Sequence, residues 1–161
     1  MSSSTLAAVA TYEVCQGSYL VSTDTSRLDL DLVHRFLSRS YWADGIPRQV
    51  VARSIAHSLC FGVYEWGDQV GFARVVTDRA TFGYLADVFV LEGHRGRGLS
   101  TWLMRVILGH PDLQGLRRFS LVTRDAHALY ARFGFAALAA PERHMEILRP
   151  DPLPGRAGVG A

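Results

Sequence analysis

The sequence predicts a mixed α/β domain, an α+β arrangement on a mostly antiparallel sheet with one parallel strand pair. Its 161 residues are 48% apolar and 20% charged, which is ordinary for one domain with a buried core. Apolar residues recur at helical spacing in some segments and form short strand-like runs in others. The strands between Cys60 and Val90 follow one another through short turns, as antiparallel neighbours do, and a helical segment then separates the fourth strand from the fifth. A connection of that length sets two strands parallel.

Met1 to Ala10 is rich in Ser and Ala and is expected to fray. Tyr19–Ser22 reads as a short strand. Ser26 is the expected cap of a helix from Arg27 to Ser38, because Leu28, Leu32, Val33, Phe36 and Leu37 fall on one face. Tyr41 to Ile46 is a loop, and Pro47 suits the first position of a second helix with Val50, Val51, Ile55 and Leu59 inward. Cys60–Glu65 is a strand, Gly67-Asp68 a hairpin turn, Val70–Val76 the next strand and Thr77–Ala80 another turn. Phe82–Val90 is the long fourth strand. Leu99, Trp102, Leu103, Val106 and Ile107 mark a helix, Phe119–Val122 the fifth strand and Ala126–Phe133 a last helix. Weaker strand patterns cover Phe135–Leu138 and His144–Leu148. The Pro/Gly content from residue 150 predicts a disordered tail, 150–161, after a single domain of residues 1–149.

The net charge of +2 gives no reason to expect a nucleic acid or a membrane surface as partner. All 17 basic residues are arginine, so no lysine can act in catalysis. Cys15 and Cys60 are too few and too far apart for a disulfide framework or a zinc site, and no metal is expected. Leu6–Ala10 is too short for a signal peptide and has no basic residue before it. No apolar run reaches the roughly 18 residues of a membrane helix. A cytoplasmic protein is the expectation.

The most informative stretch is Val88–Ser100, VFVLEGHRGRGLS. An apolar strand runs into a loop with two arginines and interleaved glycines, and an amphipathic helix follows. Glycine lets the backbone turn tightly, and the uncapped N–H groups at a helix start favour an anion. Strand, loop and helix start together make a pyrophosphate cradle. No lysine follows the glycines, so it is not a Walker A loop. Thr101 stands where the dinucleotide fingerprint needs its third glycine.

Arg95-Gly96-Arg97-Gly98-Leu99-Ser100 resembles the Gln/Arg-x-x-Gly-x-Gly/Ala signature of the GNAT superfamily of acyl-CoA-dependent N-acetyltransferases. Ala128-Leu129-Tyr130-Ala131-Arg132-Phe133-Gly134-Phe135 resembles that family's second signature, a helix carrying Tyr and closing on Gly-Phe. The resemblance spans roughly residues 12–148, with its specific motifs between 84 and 135. It departs from the family at Ser100, at Thr123 (Asn in many relatives) and at Ala86, where several relatives carry a carboxylate. The resemblance implies the GNAT fold, with helices on both faces and the fourth and fifth strands splayed apart. Acetyl-CoA would enter that splay as co-substrate. The backbone of Val88, Phe89 and Val90 would pair with its pantetheine arm. Arg95, Gly96, Arg97, Gly98, Leu99 and Ser100 would hold its pyrophosphate.

By the same resemblance Tyr130 is the general acid that protonates the departing thiolate, and Tyr41 and Trp42 belong to the acceptor wall. Trp42 is equally readable as core. Tyr84 shares a face with Ala86 and is a further acceptor-side candidate, whereas alternation turns Asp87 to the other face. His34, His127 and His144 can titrate near neutral pH. The expected reaction is acetyl transfer to a primary amine of a small molecule. Transfer to a protein lysine or N-terminus and a non-catalytic acyl-CoA sensor are the alternatives. Homodimers are common in the resembling family, and no interface is legible here.

Overall fold

The computed structural model describes residues 10–149. The start expected to fray, apart from Ala10, and the tail expected to be disordered therefore lie outside the described residues. The elements are β1 (Glu13–Gln16), β2 (Tyr19–Ser22), α1 (Leu30–Leu37), α2 (Arg48–Ala56), β3 (Leu59–Glu65), β4 (Asp68–Thr77), β5 (Phe82–Val90), α3 (Leu99–Leu108), β6 (Arg118–Leu121) and α4 (His127–Ala131). The six strands lie in sequence order in one sheet, antiparallel throughout except for β5 and β6. The expected fourth and fifth strands are thus β5 and β6, and they form the parallel pair.

Strand alternation sorts the apolar residues onto two faces. Phe61, Val63, Ala73, Val75 and Leu85 pack with Leu103, Met104 and Ile107 of α3. Cys60, Phe72 and Phe89 pack with Val33 and Leu37 of α1 and Val51 of α2. The Phe89 ring stacks on Phe36, with centroids 3.8 Å apart and planes 10° apart, and it approaches Phe72 at 5.9 Å. This aromatic stack fixes α1 against the sheet beside the site described below.

One strand is added to the expected set and four local expectations are corrected. β1 has no pattern to read, because three of its four residues are exposed on the sheet edge. Ser26 caps nothing. Asp24 caps a 3-10 turn at Thr25–Arg27, the chain extends at Leu28, and Asp29 accepts from Leu32 N at 2.9 Å to start α1. Asp29 can cap because its own N–H is held by Gln69 Oε1 at 2.7 Å. Pro47 stands one position before α2, in the cap place, and Leu59, expected on that helix, lies beyond its end as the first residue of β3. The β3–β4 turn is Trp66-Gly67, one residue earlier than expected, since Glu65 pairs with Asp68 and both turn residues have positive φ (53° and 94°). Phe135–Leu138 and His144–Leu148 form no strands. The alanines after Phe135 offer little cross-strand packing, and Pro141 starts a 3-10 turn instead.

Replacing Phe72, which is fully buried between the sheet and α1, removes the base of the aromatic stack. Phe72→Ala is expected to cost about 3–5 kcal/mol. Equilibrium urea unfolding measures it.

Candidate active site

The parallel pairing of β5 with β6 runs only from Phe82 opposite Arg118 to Leu85 opposite Leu121. From Ala86 onward β5 has β4 on one side and no ladder on the other. Leu91 N donates to Val70 O at 2.8 Å, which fixes the alternation of the antiparallel side. Phe89 thus turns its amide groups toward β4, while Val88 and Val90 turn theirs to the open side. The strand therefore offers backbone donors and acceptors to an extended, amide-bearing ligand.

The same stretch carries a bulge. Phe72 pairs with Phe89 and Arg74 with Ala86, so Ala73 alone faces both Asp87 and Val88. Asp87 takes the left-handed φ of 56° that this requires. The expected alternation breaks there, and Asp87 turns to the face of Ala86 and Phe89 rather than away from it. Its Oδ2 accepts from Arg74 Nε at 2.6 Å, and its Oδ1 accepts from Trp42 Nε1 at 3.1 Å. Arg74 Nη1 also donates to Ser58 Oγ at 3.2 Å. Only 9% of the Asp87 side chain is exposed, so this carboxylate is committed to its cation and its indole. Sequence reasoning missed it, and no local signal marks a bulge without a glycine.

Beyond β5 the chain enters the Arg/Gly loop. Gly96 and Gly98 both adopt φ of 75°, and Gly98 occupies the cap position of α3 without a side-chain cap. A Cβ at either glycine would meet nothing within 4 Å, so the left-handed backbone rather than space demands glycine. Trp102 N bonds Gly98 O at 3.0 Å, which leaves the N–H groups of Leu99, Ser100 and Thr101 without helical acceptors. Arg95 lies along β5 and donates from Nε to Val90 O at 3.0 Å. Arg97 Nη1 donates to Tyr19 Oη at 2.7 Å and stands 4.0 Å from Glu65. His94 Nδ1 shares both partners, 3.2 Å from Tyr19 Oη and 3.4 Å from Glu65 Oε2. The N–H row, the positive end of α3 and the two arginines fit a diphosphate, and the open edge of β5 continues the path.

Tyr130 lies on α4, which follows β6. Thr123 Oγ1 accepts from Ala126 N at 3.0 Å, so the residue that departs from the family shapes the turn into α4. Tyr130 is half-buried, edge-on to Phe135 at 6.0 Å, and lines a cavity with Leu121 and Thr123. Burial raises its phenol above the usual 10, and Tyr41 and Asp125 push in the same direction. Tyr41 and Trp42 are 49% and 43% exposed, which places them on a wall and not in the core. Tyr41 Oη accepts from Arg124 N at 3.4 Å, and the Arg124 guanidinium covers its ring at 3.7 Å. The α1–α2 loop thereby reaches from Asp87 on β5 to the β6–α4 loop. Tyr84 sits before the splay, opposite Ser120, and makes no ring contact with Tyr41 or Trp42 among the described residues. His34 Nε2 bonds Ile46 O at 3.0 Å and braces the loop, His127 lines the Tyr130 cavity, and His144 is exposed.

Cys60 lies under the Arg74–Asp87 pair and is 2% exposed. Burial pushes its thiol up to about 12, against the opposing pull of Arg74. Deep burial and a raised pKa make that thiol a poor nucleophile near neutrality. Among the described residues no cluster has the ligands for a metal ion, and no helix is long and apolar enough to cross a membrane. Iodoacetamide at pH 8 is expected to alkylate exposed Cys15 and to spare Cys60 until denaturant is added. Peptide mass spectrometry reads both sites.

Comparisons with known proteins agree with this geometry. Residues 29–135 match the Acetyltransferase (GNAT) family. A Gibberella zeae protein named as an acetyltransferase is 35% identical over 141 residues, covering 73% of this chain and 78% of its own. A crystal structure from Xanthomonas campestris pv. campestris, described as an acetyltransferase of the GNAT family, is 56% identical. It superposes with a TM-score of 0.82 over 84% of this chain and 96% of the other. A Clostridium acetobutylicum acetyltransferase crystallised with acetyl-CoA shares the fold at 14% identity, with a TM-score of 0.57 over 81% of this chain and 94% of its own. An acetyltransferase family that spans α1 to Phe135 thus accounts for both the splayed β5 and the uncapped start of α3, and this chain belongs to the GNAT family.

Proposed function

We propose that this acetyltransferase moves an acetyl group from acetyl-CoA to the primary amine of a small molecule by direct attack. The observation that carries the reading is the end of the β5–β6 ladder at Leu85 and Leu121. It leaves the backbone of Val88 and Val90 open on the side of β6, and the N–H row of α3 follows that strand while α4 with Tyr130 follows β6. Acetyl-CoA supplies the activated acetyl thioester. The amides of Val88 and Val90 hold its pantetheine arm, while those of Phe89, expected to share in this, are spent on β4; the N–H groups of Leu99, Ser100 and Thr101 take its pyrophosphate.

A β5 N–H on the open side stabilises the oxygen that gains charge during attack. The nitrogen–carbon bond forms, the carbon–sulfur bond breaks, and Tyr130 gives its phenolic proton to the departing sulfur. The amine nitrogen loses its proton to water. Asp87 takes no proton, because Arg74 and Trp42 occupy both of its oxygens. The inert Cys60 supports direct attack over an acyl-enzyme. A retained, half-buried Tyr130 favours an enzyme over a sensor, which has no leaving thiolate to protonate.

Thiol release from acetyl-CoA across aromatic, aliphatic, polyamine and amino-acid amines tests the reading. Tyr130→Phe is expected to lower kcat by about 10²–10⁴-fold without weakening acetyl-CoA binding. An unchanged kcat removes Tyr130 from the chemistry. The raised phenol keeps its proton to a higher pH than a free tyrosine does, so any alkaline loss of kcat from Tyr130 is expected later than the ordinary tyrosine titration. Gly98→Val forces a β-branched residue into φ of 75°. At about 1–2 kcal/mol of left-handed strain, acetyl-CoA affinity is expected to fall about tenfold by calorimetry.

A further inference from the structure

We infer that the acceptor amine carries a carboxylate, and that Arg35 and Arg39 bind it. This rests on the acetyl-transfer reading and names the substrate class of the same site. A groove opens on the outer side of α1 beside the acceptor wall. Leu32, Phe36, Leu91, Tyr41 and Trp42 give it apolar and aromatic walls, and Arg35 and Arg39 stand over it. No acidic side chain lines it. Arg35 stands in the last turn of α1 and Arg39 in the turn just beyond its end, and both are exposed. Neither has a carboxylate within 4.0 Å among the described residues. The nearby acid on α1, Asp31, is committed to Arg48 at 2.6 Å.

The other side of the wall points the same way. Trp42 closes the groove and donates to Asp87, and the charge of Asp87 is matched by Arg74 at 2.6 Å. Asp125, beyond Tyr41, stands 3.6 Å from Arg124. A dicationic acceptor such as a polyamine finds both of these carboxylates already paired with guanidinium groups. An acceptor with an apolar body and an acid group meets rings for the body and two guanidinium forks for the acid. Its amine end is then left to approach the open edge of β5.

Matched acceptor pairs test this with the full chain. 4-(Aminomethyl)benzoate is compared with benzylamine, and ω-amino acids of increasing length with the alkylamines that lack the acid. Kinetic constants are measured for the wild type and for the Arg35→Ala/Arg39→Ala double variant. The wild type is expected to favour the acid member of at least one pair by about tenfold or more in kcat/KM, the strength of one charge-assisted contact. The double variant should lose that preference while keeping the activity on the neutral twin and the KM for acetyl-CoA. Three results overturn the inference. They are no preference in the wild type, an equal fall for both twins, or a raised KM for acetyl-CoA, which would assign the arginines to the phosphates of the co-substrate. If no amine of any kind is acetylated, the acetyl-transfer reading itself fails. Calorimetric binding of the same acids then decides the groove: binding that the double variant loses supports it, and binding that is absent or unaltered overturns it.

Discussion

The break in register at Ala73 governs the site. A strand that pairs without interruption presents alternate residues to alternate faces, and β5 would then have sent Asp87 toward α3. One unpaired residue shifts this. Asp87 turns to the α1 side, where it meets Arg74 from β4 and Trp42 from the α1–α2 loop. A left-handed φ at a non-glycine residue costs roughly 1–2 kcal/mol. The nearly buried ion pair and the indole hydrogen bond hold the residue in that conformation. The bulge also strengthens the local twist, and the parallel ladder with β6 stops at Leu85, just before it. Strained backbone, open edge and aromatic wall thus share one neighbourhood.

The proposed path for the co-substrate rests on backbone more than on side chains. Arg95 and Arg97 look in the sequence like two free cations aimed at phosphate. In the fold each already has work: Arg95 braces the end of β5, and Arg97 ties the loop to Tyr19 and Glu65. Ser18 Oγ donates to Glu65 at 3.0 Å, so the β1–β2 hairpin shares in the same network. These bonds hold the loop in shape for the N–H row of α3, and the arginine charges stay close by. The β1–β2 hairpin, at the far edge of the sheet, in this way takes part in shaping the cradle.

Much of the fold was legible because its elements are strongly periodic. β3, β4, β5 and α3 follow patterns that survive in isolation, and the glycines of the loop mark left-handed positions that few other residues tolerate. What escaped notice has particular causes. β1 is an exposed edge strand with no buried face to read. Asp24 and Asp29 compete with Ser26 as caps, and Gln69, distant in sequence, helps to settle the contest. Asp87 was placed on the wrong face because alternation is a rule for unbulged strands. Trp42 was equally readable as wall or core until its exposure and its partner were known.

The commitment of Asp87 has a further chemical consequence. A carboxylate on this strand would be the natural base for an ammonium acceptor, yet here Ala86 offers none and Asp87 is neutralised on both oxygens. Proton removal then falls to water, which suits an acceptor that already reaches the site as free amine. The arginines over the groove would then act on the acid end alone, anchoring it and leaving the amine end to react as that of a neutral acceptor does. Recognition of the acceptor would come from these charges, with no dedicated base in the protein.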